Sequence, residues 1–341
     1  MRTKKAKTLS GASEPHAYHA LTPDVVLDAL ADLGLAVDGR LTALSSYENR
    51  VYQVMLEDDS AVVVKFYRPA RWSDAALQEE HDFAAELMAA EVPMVGPLVL
   101  HGRTLHQSHG FAFSVSPRRG GRMPELDDPE VLTWVGRFIA RIHNVGAQHA
   151  FVHRPALNVA TFGEASRDWL LDHDMVARDQ QSAWLKVCNE ALAMAQDAFD
   201  AYPAQLIRLH GDCHPGNILW TPTEQIDGGP HFVDLDDARM GPAVQDLWML
   251  ASGDRQQRSM QLSLLLEGYE QMRDLRRGEL ALIEPLRTLR LIHYSAWLAR
   301  RCDDPAFVQH FSWFGSSDYW ASQVHMLIEQ CEAMQEPPLQ V

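Results

Sequence analysis

The sequence contains neither a long hydrophobic run nor the basic surplus that polyanionic partners require. No uncharged apolar stretch approaches the length that a membrane-spanning helix needs. The formal net charge is −16 at pH 7, whereas nucleic acids and anionic membrane surfaces attract basic proteins. We therefore expect that the chain binds neither nucleic acid nor a membrane.

Cysteine is scarce, and the four cysteines at positions 188, 213, 302 and 331 show no paired spacing. Scattered cysteines of this kind are typical of proteins in a reducing compartment. The basic residues near the N-terminus are not followed by an apolar segment, so they do not form a secretory signal. These features predict a cytoplasmic protein with a disordered tail over residues 1–17.

The length of the chain allows two lobes. With 341 residues, 46% hydrophobic and 22% charged, the composition is that of an ordinary globular protein with a sizeable core. The best candidate linker is PRRGGR at 117–122, after which the pattern changes toward longer helices. We therefore predict an N-terminal lobe over residues 18–117 and a helical C-terminal lobe over residues 118–341.

The strongest chemical signal lies between residues 207 and 250. Asp212 follows a His-Gly pair, Asn217 comes shortly after it, and Asp234 ends an apolar run. One aspartate can meet an acceptor hydroxyl, while an Asn and a second Asp can hold a metal on a nucleotide. Their carboxylate and amide oxygens are the ligands that a magnesium-type ion prefers. This layout indicates a phosphotransfer centre.

The local pattern predicts how these ligands meet. Residues 218–220 are typical of a strand, residues 227–230 of a hairpin turn, and residues 232–233 of the returning strand. Such a hairpin places Asn217 and Asp234 side by side at its open end.

Lys65 lies within the β-branched strand predicted over residues 61–67. A lysine in a buried strand is unfavourable unless its ammonium group meets an anion, such as a nucleotide phosphate or a carboxylate. Glu80, on the helix predicted from Ser73, is the preferred partner, ahead of Glu79, because it shares a helical face with Phe83. The alternative is a lysine that extends from a strand edge into solvent.

The turn at residues 45–49 connects two predicted strands, and its small residues include Ser46. Such a turn can bring backbone N–H groups close to a phosphate, although this one contains no glycine and an ordinary hairpin loop is an equal alternative. The strand at 111–116 leads into the linker. An adenine would lie there, against the backbone of residues 114–116.

Several polar residues of the central region have less specific interpretations. We expect His210 to pack beneath its loop and Asp246 to bind the backbone N–H groups of that loop. Asp236, Asp237 and Arg239 either line the acceptor site or form local ion pairs. A hydrolytic transition-metal site built from residues 210, 212, 213 and 214 is disfavoured, because ligands crowded into five residues do not easily converge on one ion.

With these residues in place, the chain resembles the kinase-like phosphotransferase superfamily that contains aminoglycoside and choline kinases. Within it, the sequence is similar to the bacterial stress response kinase A family from about residue 21 to residue 340. The motifs that carry the resemblance are SYENRVYQ at 46–53, VVKFYRPARW at 63–72, LHGDCHPGNILW at 209–220 and FVDLDDARMGPAVQDLWML at 232–250.

The resemblance implies an α+β, two-lobed, protein-kinase-like fold with a small β-rich N-lobe and a larger helical C-lobe. It also implies transfer from ATP, with Mg²⁺, to serine or threonine of proteins, in a cytoplasmic role in stress response and survival. The implied catalytic residues are Asp212 as proton acceptor and Asp234. Asn217 and Asp234 are the implied metal ligands, and the implied nucleotide-binding residues are Ser46, Lys65 and Glu80.

One observation favours a different acceptor. The segment between Asp234 and Asp246 is too short for a long activation segment, and Gly211 occupies the position where many protein kinases have arginine. The residues alone therefore favour a small-molecule kinase that phosphorylates a metabolite hydroxyl. A non-catalytic nucleotide-binding scaffold is a further alternative, which the complete set of polar residues disfavours.

Overall fold

The computed structural model describes residues 17–304, 307 and 310–341. Apart from residue 17, the tail predicted over residues 1–17 lies outside the described residues. The β-strands are β1 (Val37–Leu44), β2 (Arg50–Leu56), β3 (Ala61–Phe66), β4 (His106–Ser108), β5 (Phe111–Pro117), β6 (Ile207–Leu209), β7 (Ile218–Thr221), β8 (Gly229–Phe232) and β9 (Arg239–Gly241). The α-helices are α1 (Pro23–Ala31), α2 (Asp74–Ala89), α3 (Pro129–Gly146), α4 (Ala165–Asp172), α5 (Gln181–Ala201), α6 (Val244–Trp248), α7 (Arg255–Tyr269), α8 (Ile283–Ala299) and α9 (Ser317–Ala333).

The N-terminal lobe is built on an antiparallel five-stranded sheet with the order β1-β2-β3-β5-β4. Alternation along β3 buries Val62, Val64 and Phe66 on one face of the sheet. This face packs against α1 in a small separate core. The period-2 pattern therefore leaves Lys65 on the opposite face, towards the rest of the molecule.

Helix α2 connects the sheet with the helical lobe. It begins at a side-chain cap, in which Ser73 Oγ accepts a hydrogen bond from the N–H of Ala76 at 3.2 Å. Its apolar face, with Phe83 and Leu87, belongs to the large core of the C-terminal lobe. Because Glu80 is buried on the same side of this helix, it is held at the boundary between the lobes.

The larger lobe consists of helices α3 to α9 around a single core of buried apolar side chains. Helices α3 and α7 cross at very short range at two glycines, Gly136 and Gly268. A β-carbon at Gly268 would overlap the backbone carbonyl group of Thr133, and one at Gly136 would overlap that of Leu265. Glycine is therefore required at this crossing for close packing of the two backbones.

Two short antiparallel sheets carry the polar motifs at the edge of this lobe. Strand β6 pairs with β9, and β7 pairs with β8 in the register Ile218 with Phe232. The N–H of Val233 donates to the carbonyl oxygen of Asn217 at 3.0 Å, which extends the second pair by one residue. The predicted hairpin is confirmed, and it brings Asn217 to the same end as Asp234.

The predicted α+β, two-lobed architecture is thus present, with some differences in detail. Strand β1 starts at Val37, well before the turn at residues 45–49, and a π-helical turn, Val159–Glu164, precedes α4. All four cysteines are free thiols. Among the described residues, no helix is both long enough and apolar enough to cross a membrane.

The helix crossing gives a direct stability test. We expect Gly268→Ala to lower the free energy of unfolding by about 1–3 kcal/mol, because the added methyl group forces the α3 and α7 backbones apart. The measurement is urea unfolding followed by circular dichroism. Ser263→Ala, at an exposed position of the same helix, is the control and should change stability by less than about 0.5 kcal/mol. Equal stability of the two variants would contradict the close packing.

Candidate active site

A cleft with a volume of about 990 Å³ lies between the two lobes. Apolar side chains line part of it, among them Val51, Val63, Val95, Leu219 and Val233. Its polar lining includes Ser46, Lys65, Glu80, Asp212, Asn217 and Asp234, the six residues predicted from the sequence. The fold therefore gathers side chains that are far apart in the chain into a single cleft.

Lys65 lies between two carboxylates from different lobes. Its Nζ is 3.0 Å from Glu80 Oε1 and 3.0 Å from Asp234 Oδ1. Although burial opposes its charge, Asp234 and Glu80 raise the pKa of Lys65 well above its ordinary value. The predicted pair with Glu80 is present, and Glu79 instead accepts hydrogen bonds from the N–H groups of residues 152 and 153.

Glu80 has a second cationic partner that was not predicted. Arg154 Nη2 donates to Glu80 Oε2 at 2.8 Å, and its Nη1 donates to the carbonyl oxygens of Asp236 and Ala238, each at 2.9 Å. Only 4% of Arg154 is exposed, so its guanidinium group needs all these acceptors. Arg154 therefore fixes α2 to the segment that follows Asp234.

Asp246 anchors the loop that carries Asp212, as predicted. Its Oδ2 accepts a hydrogen bond from the N–H of His210 at 2.8 Å, and its Oδ1 accepts one from the N–H of Gly211 at 2.9 Å. His143 Nε2 lies 3.1 Å from Asp246 Oδ2, and the other ring nitrogen of His143 contacts the hydroxyl group of Tyr269. This fully buried network explains why His143 is structural.

Gly211 adopts a conformation that other residues avoid, with φ +85°. A β-carbon at this position would also overlap the carbonyl oxygen of Asp237. Any side chain at position 211 is therefore excluded by the fold of the loop, which explains why the arginine of protein kinases is absent here.

Asn217 and Asp234 present oxygen atoms to the cleft. Asn217 Nδ2 donates to the backbone carbonyl oxygen of Asp212 at 3.0 Å, which leaves its amide oxygen for another partner. Asp234 adopts φ +64°, an uncommon conformation for a residue with a β-carbon, and its side chain is 47% exposed. This donor set fits a hard divalent cation that shares its coordination with phosphate oxygens.

His210 contacts a backbone carbonyl group, since its Nε2 lies 2.9 Å from the oxygen of Val233. Cys213 is fully buried, and burial raises the pKa of its thiol well above the ordinary range. Within the described residues, no group of three or more His, Cys, Asp or Glu side chains is placed to hold a metal ion.

Asp212 has a cationic neighbour from helix α8. Arg290 Nη2 is 2.8 Å from Asp212 Oδ1, and His214 Nε2 is 3.5 Å from Asp212 Oδ2. Burial opposes ionisation, but the hydrogen bond from His214 and the charge of Arg290 hold the pKa of Asp212 below its usual value. The carboxylate therefore stays ionised and can accept a hydrogen bond from an acceptor hydroxyl group.

Asp236 and Asp237 both line the cleft, and each forms an ion pair, whereas their place in an acceptor site stays a prediction. Arg71 Nη1 lies 2.5 Å from Asp236 Oδ2, and Arg71 Nη2 lies 2.8 Å from Asp237 Oδ1. Arg239 Nη2 also contacts Asp237 Oδ1, at 2.6 Å. Despite burial, these two arginines hold the pKa of Asp237 far below its ordinary value.

The turn at residues 45–49 borders the cleft, and its Glu48 is bound by both lobes. The carboxylate of Glu48 lies 2.9 Å from Arg68 Nε, 2.8 Å from Arg71 Nη1 and 2.7 Å from Trp297 Nε1 of helix α8. Arg301, just beyond α8, contacts the same carboxylate. The turn is therefore fixed over the cleft by one carboxylate.

Part of the backbone that is expected to bind an adenine already has a hydrogen-bond partner within the protein. The N–H of Leu98 donates to the carbonyl oxygen of Val115 at 2.7 Å. Ser114 and Ser116 line the cleft. The adenine position at residues 114–116 stays a prediction.

Sequence reasoning missed the arginines that join the parts of this site, namely Arg71, Arg154 and Arg290. The available signal was weak. Arg71 lies in the quoted motif at 63–72, whereas nothing in the local pattern marks Arg154 or Arg290 as buried partners of a carboxylate.

Comparison with known proteins identifies the family. Residues 40–280 match the phosphotransferase enzyme family. The chain belongs to this family. It is 45% identical to stress response kinase A of Escherichia coli K12 over 324 residues, which cover 95% of this chain and 97% of the relative. The serine/threonine protein kinase RdoA of Salmonella typhimurium is 44% identical over the same coverage. The resemblance stated from the sequence motifs is confirmed, and this phosphotransferase is an ATP-dependent kinase.

Solved structures show the same fold at low sequence identity. An amicoumacin kinase in complex with AMP-PNP and Ca²⁺ superposes with a TM-score of 0.69 at 19% identity, covering 93% of this chain and 94% of that one. A microcompartment-associated aminopropanol kinase superposes with a TM-score of 0.68 at 15% identity, covering 92% and 97%. The kinase-like fold of this phosphotransferase is therefore shared with both proteins.

The Asp246 network predicts a large stability loss in a conservative variant. Asp246→Asn replaces one acceptor oxygen by an NH₂ group, so that one buried N–H of the loop loses its acceptor. We expect the free energy of unfolding to fall by about 2–4 kcal/mol, measured by urea unfolding. Asp197→Asn, on an exposed position of α5, is the matched control and should be neutral. An equally small effect at both positions would rule out the anchoring role.

A buried histidine predicts how stability depends on pH. His81 is 2% exposed, with its ring nitrogens 2.7 Å from the Tyr67 hydroxyl oxygen and 2.9 Å from Thr104 Oγ1. Burial, helped by the charge of Lys65, lowers its pKa to about 3. Between pH 6.5 and 4 the unfolded chain binds a proton at this position and the folded chain does not, so stability falls as the pH falls.

We expect this histidine to contribute a slope on the order of 1 kcal/mol per pH unit in that interval. Urea unfolding of the wild type and His81→Gln at pH 7.0, 6.0 and 5.0 measures it. The variant should lose stability less steeply than the wild type. Parallel pH profiles would show that His81 has the same pKa in the folded and unfolded chain, and would contradict the prediction.

Proposed function

We propose that this phosphotransferase uses ATP and Mg²⁺ to phosphorylate serine or threonine hydroxyl groups of proteins, in the bacterial response to stress. The acceptor class follows the names of relatives that match nearly the whole chain at 44–45% identity. We place the protein in the cytoplasm, because all four of its cysteines are free thiols. The observation that carries the catalytic assignment is the position of Lys65 between Glu80 and Asp234, beside Asn217 and Asp212.

In this proposal the polar side chains divide the work of phosphoryl transfer. Asn217 and Asp234 hold Mg²⁺, which neutralises the charge on the phosphates when it is bound. Lys65, positioned by Glu80, binds the phosphate oxygens. The backbone near Ser46 covers the phosphates from above, because Glu48 fixes that turn to the C-terminal lobe.

Asp212 orients the acceptor hydroxyl group and takes its proton late in the transfer. Its low pKa supports this order, since a weakly basic carboxylate accepts the proton only once the hydroxyl oxygen has begun to bond to phosphorus. Asp246 fixes the loop before the substrate binds. No entropy is therefore lost in ordering the Asp212 carboxylate during the reaction.

A metabolite hydroxyl group is the second candidate acceptor. Strand β9 begins at Arg239, five residues after Asp234, and leaves no room for a long activation segment. Both structural neighbours described above carry the names of small-molecule kinases. These observations favour a site that needs no phosphorylated loop, and they apply to either acceptor.

Replacement of one proposed metal ligand tests the catalytic assignment. We expect Asp234→Asn to fold normally and to lose at least about 100-fold in kcat, because the amide cannot supply the same negative charge to the metal. Asp227→Asn is a matched control, since Asp227 also has a positive φ, +58°, and lies in the β7–β8 turn away from the cleft. Full magnesium-dependent activity of Asp234→Asn would overturn the proposal.

Labelled ATP then identifies the acceptor. Incubation with a bacterial protein extract and, separately, with a panel of hydroxyl-bearing metabolites should label serine and threonine of proteins in the first case. Asp212→Ala serves as the inactive reference. Label in metabolites alone would select the second candidate, and tight ATP binding without turnover to any acceptor would favour the nucleotide-binding scaffold.

A further inference from the structure

A second cavity, of about 410 Å³, lies beside the cleft. It is formed by residues 68–72 after β3, by the segment 155–162 and by the C-terminal end of α8. Asp237, Arg239 and His293 line both cavities and separate them. None of the roles assigned above uses this space.

The lining of the second cavity is strongly basic in a protein whose net charge is −16. Five arginines contribute to it, at positions 68, 71, 239, 300 and 301, and the only acidic side chain in the described lining is Asp237. Cations gathered in a partly enclosed space repel one another unless anions accompany them. The net charge of the cavity therefore depends on which carboxylates pair with these arginines.

Four of the five arginines have carboxylate partners, which are the side chains of Glu48, Asp236, Asp237 and Asp304. Arg300 differs from them. Its guanidinium carbon lies 4.7 Å from the centre of the Trp169 ring, and no carboxylate of the described residues pairs with it. Arg300 is exposed to solvent, so water hydrates its charge, and its guanidinium group is available to an anion.

Two N–H donors of the lining also lack an acceptor. They are Nε of Arg301, a residue that is only 6% exposed, and Nε1 of Trp72. Buried donors are almost always paired in folded proteins, because an unpaired one loses its hydrogen bond to water without replacement. Two buried donors without acceptors, next to an exposed arginine that no carboxylate of the described residues pairs with, are features of an anion-binding site.

We propose that the second cavity binds a phosphate group, either as inorganic phosphate or as a small phosphomonoester. Arg300 supplies the positive charge, and Arg301 Nε with Trp72 Nε1 supplies hydrogen-bond donors. Phosphate fits this lining because its oxygens can accept from several guanidinium groups at once. The volume of about 410 Å³ leaves room for an organic substituent on the phosphate. This site does not depend on the proposed function of the cleft.

The phosphate would share its arginines with Glu48. Arg68, Arg71 and Arg301 line the second cavity and also bind the carboxylate of Glu48. Removal of that negative charge frees donors for the anion. We therefore expect Glu48→Gln to tighten phosphate binding.

Isothermal titration with inorganic phosphate and with phenyl phosphate, on the full chain, tests the site. We expect saturable binding, a loss of at least tenfold in affinity for Arg300→Gln, and a change of less than threefold for Arg290→Gln. Arg290 is the matched control because it also lies on α8 but faces the cleft at Asp212. Circular dichroism melting of each variant verifies that it is folded.

The outcomes separate the possibilities. Tighter binding of phenyl phosphate than of inorganic phosphate identifies a phosphomonoester as the ligand, and equal binding identifies free phosphate. Absence of saturable binding, or a greater loss with Arg290→Gln than with Arg300→Gln, would overturn the proposal. A folded Glu48→Gln variant with weaker phosphate binding than the wild type would also contradict it.

Discussion

The arrangement of the cleft depends on the ammonium group of Lys65, which lies between a carboxylate of each lobe. Glu80 belongs to the helix beside the sheet, and Asp234 belongs to the hairpin of the larger lobe. A largely buried ammonium group depends on acceptor oxygens from both side chains, and each of these lies at 3.0 Å. The relative position of the two lobes and the position of the polar site are therefore set by the same interaction.

Much of this arrangement could be predicted from local patterns. The β-branched composition of residues 61–67 placed Lys65 in a strand, helical spacing selected Glu80 over Glu79, and turn residues predicted the β7–β8 hairpin. Asp246 could be recognised as an anchor because a carboxylate near the start of a helix commonly binds N–H groups. These features are encoded within short segments, where periodicity and turn chemistry are readable.

The remaining contacts could not be predicted because they join residues that lie far apart in the chain. Arg154 reaches Glu80 from a segment without regular periodicity, and Arg290 reaches Asp212 from a helix that the sequence marks only as apolar. The overlap that a β-carbon at Gly211 would make with the segment after Asp234 is likewise a property of the folded backbone. Such constraints leave no repeating signal in the sequence.

The contacts of Glu48 have a consequence for nucleotide exchange. In the proposed function, a nucleotide passes beneath the turn at residues 45–49, and its passage requires this turn to lift away from α8. Lifting it separates one carboxylate from Trp297 and from Arg301 and exposes charged groups that are now largely buried. The opening step therefore carries an enthalpic barrier of its own, so the overall turnover rate can be limited by the departure of the spent nucleotide while the chemical step is fast.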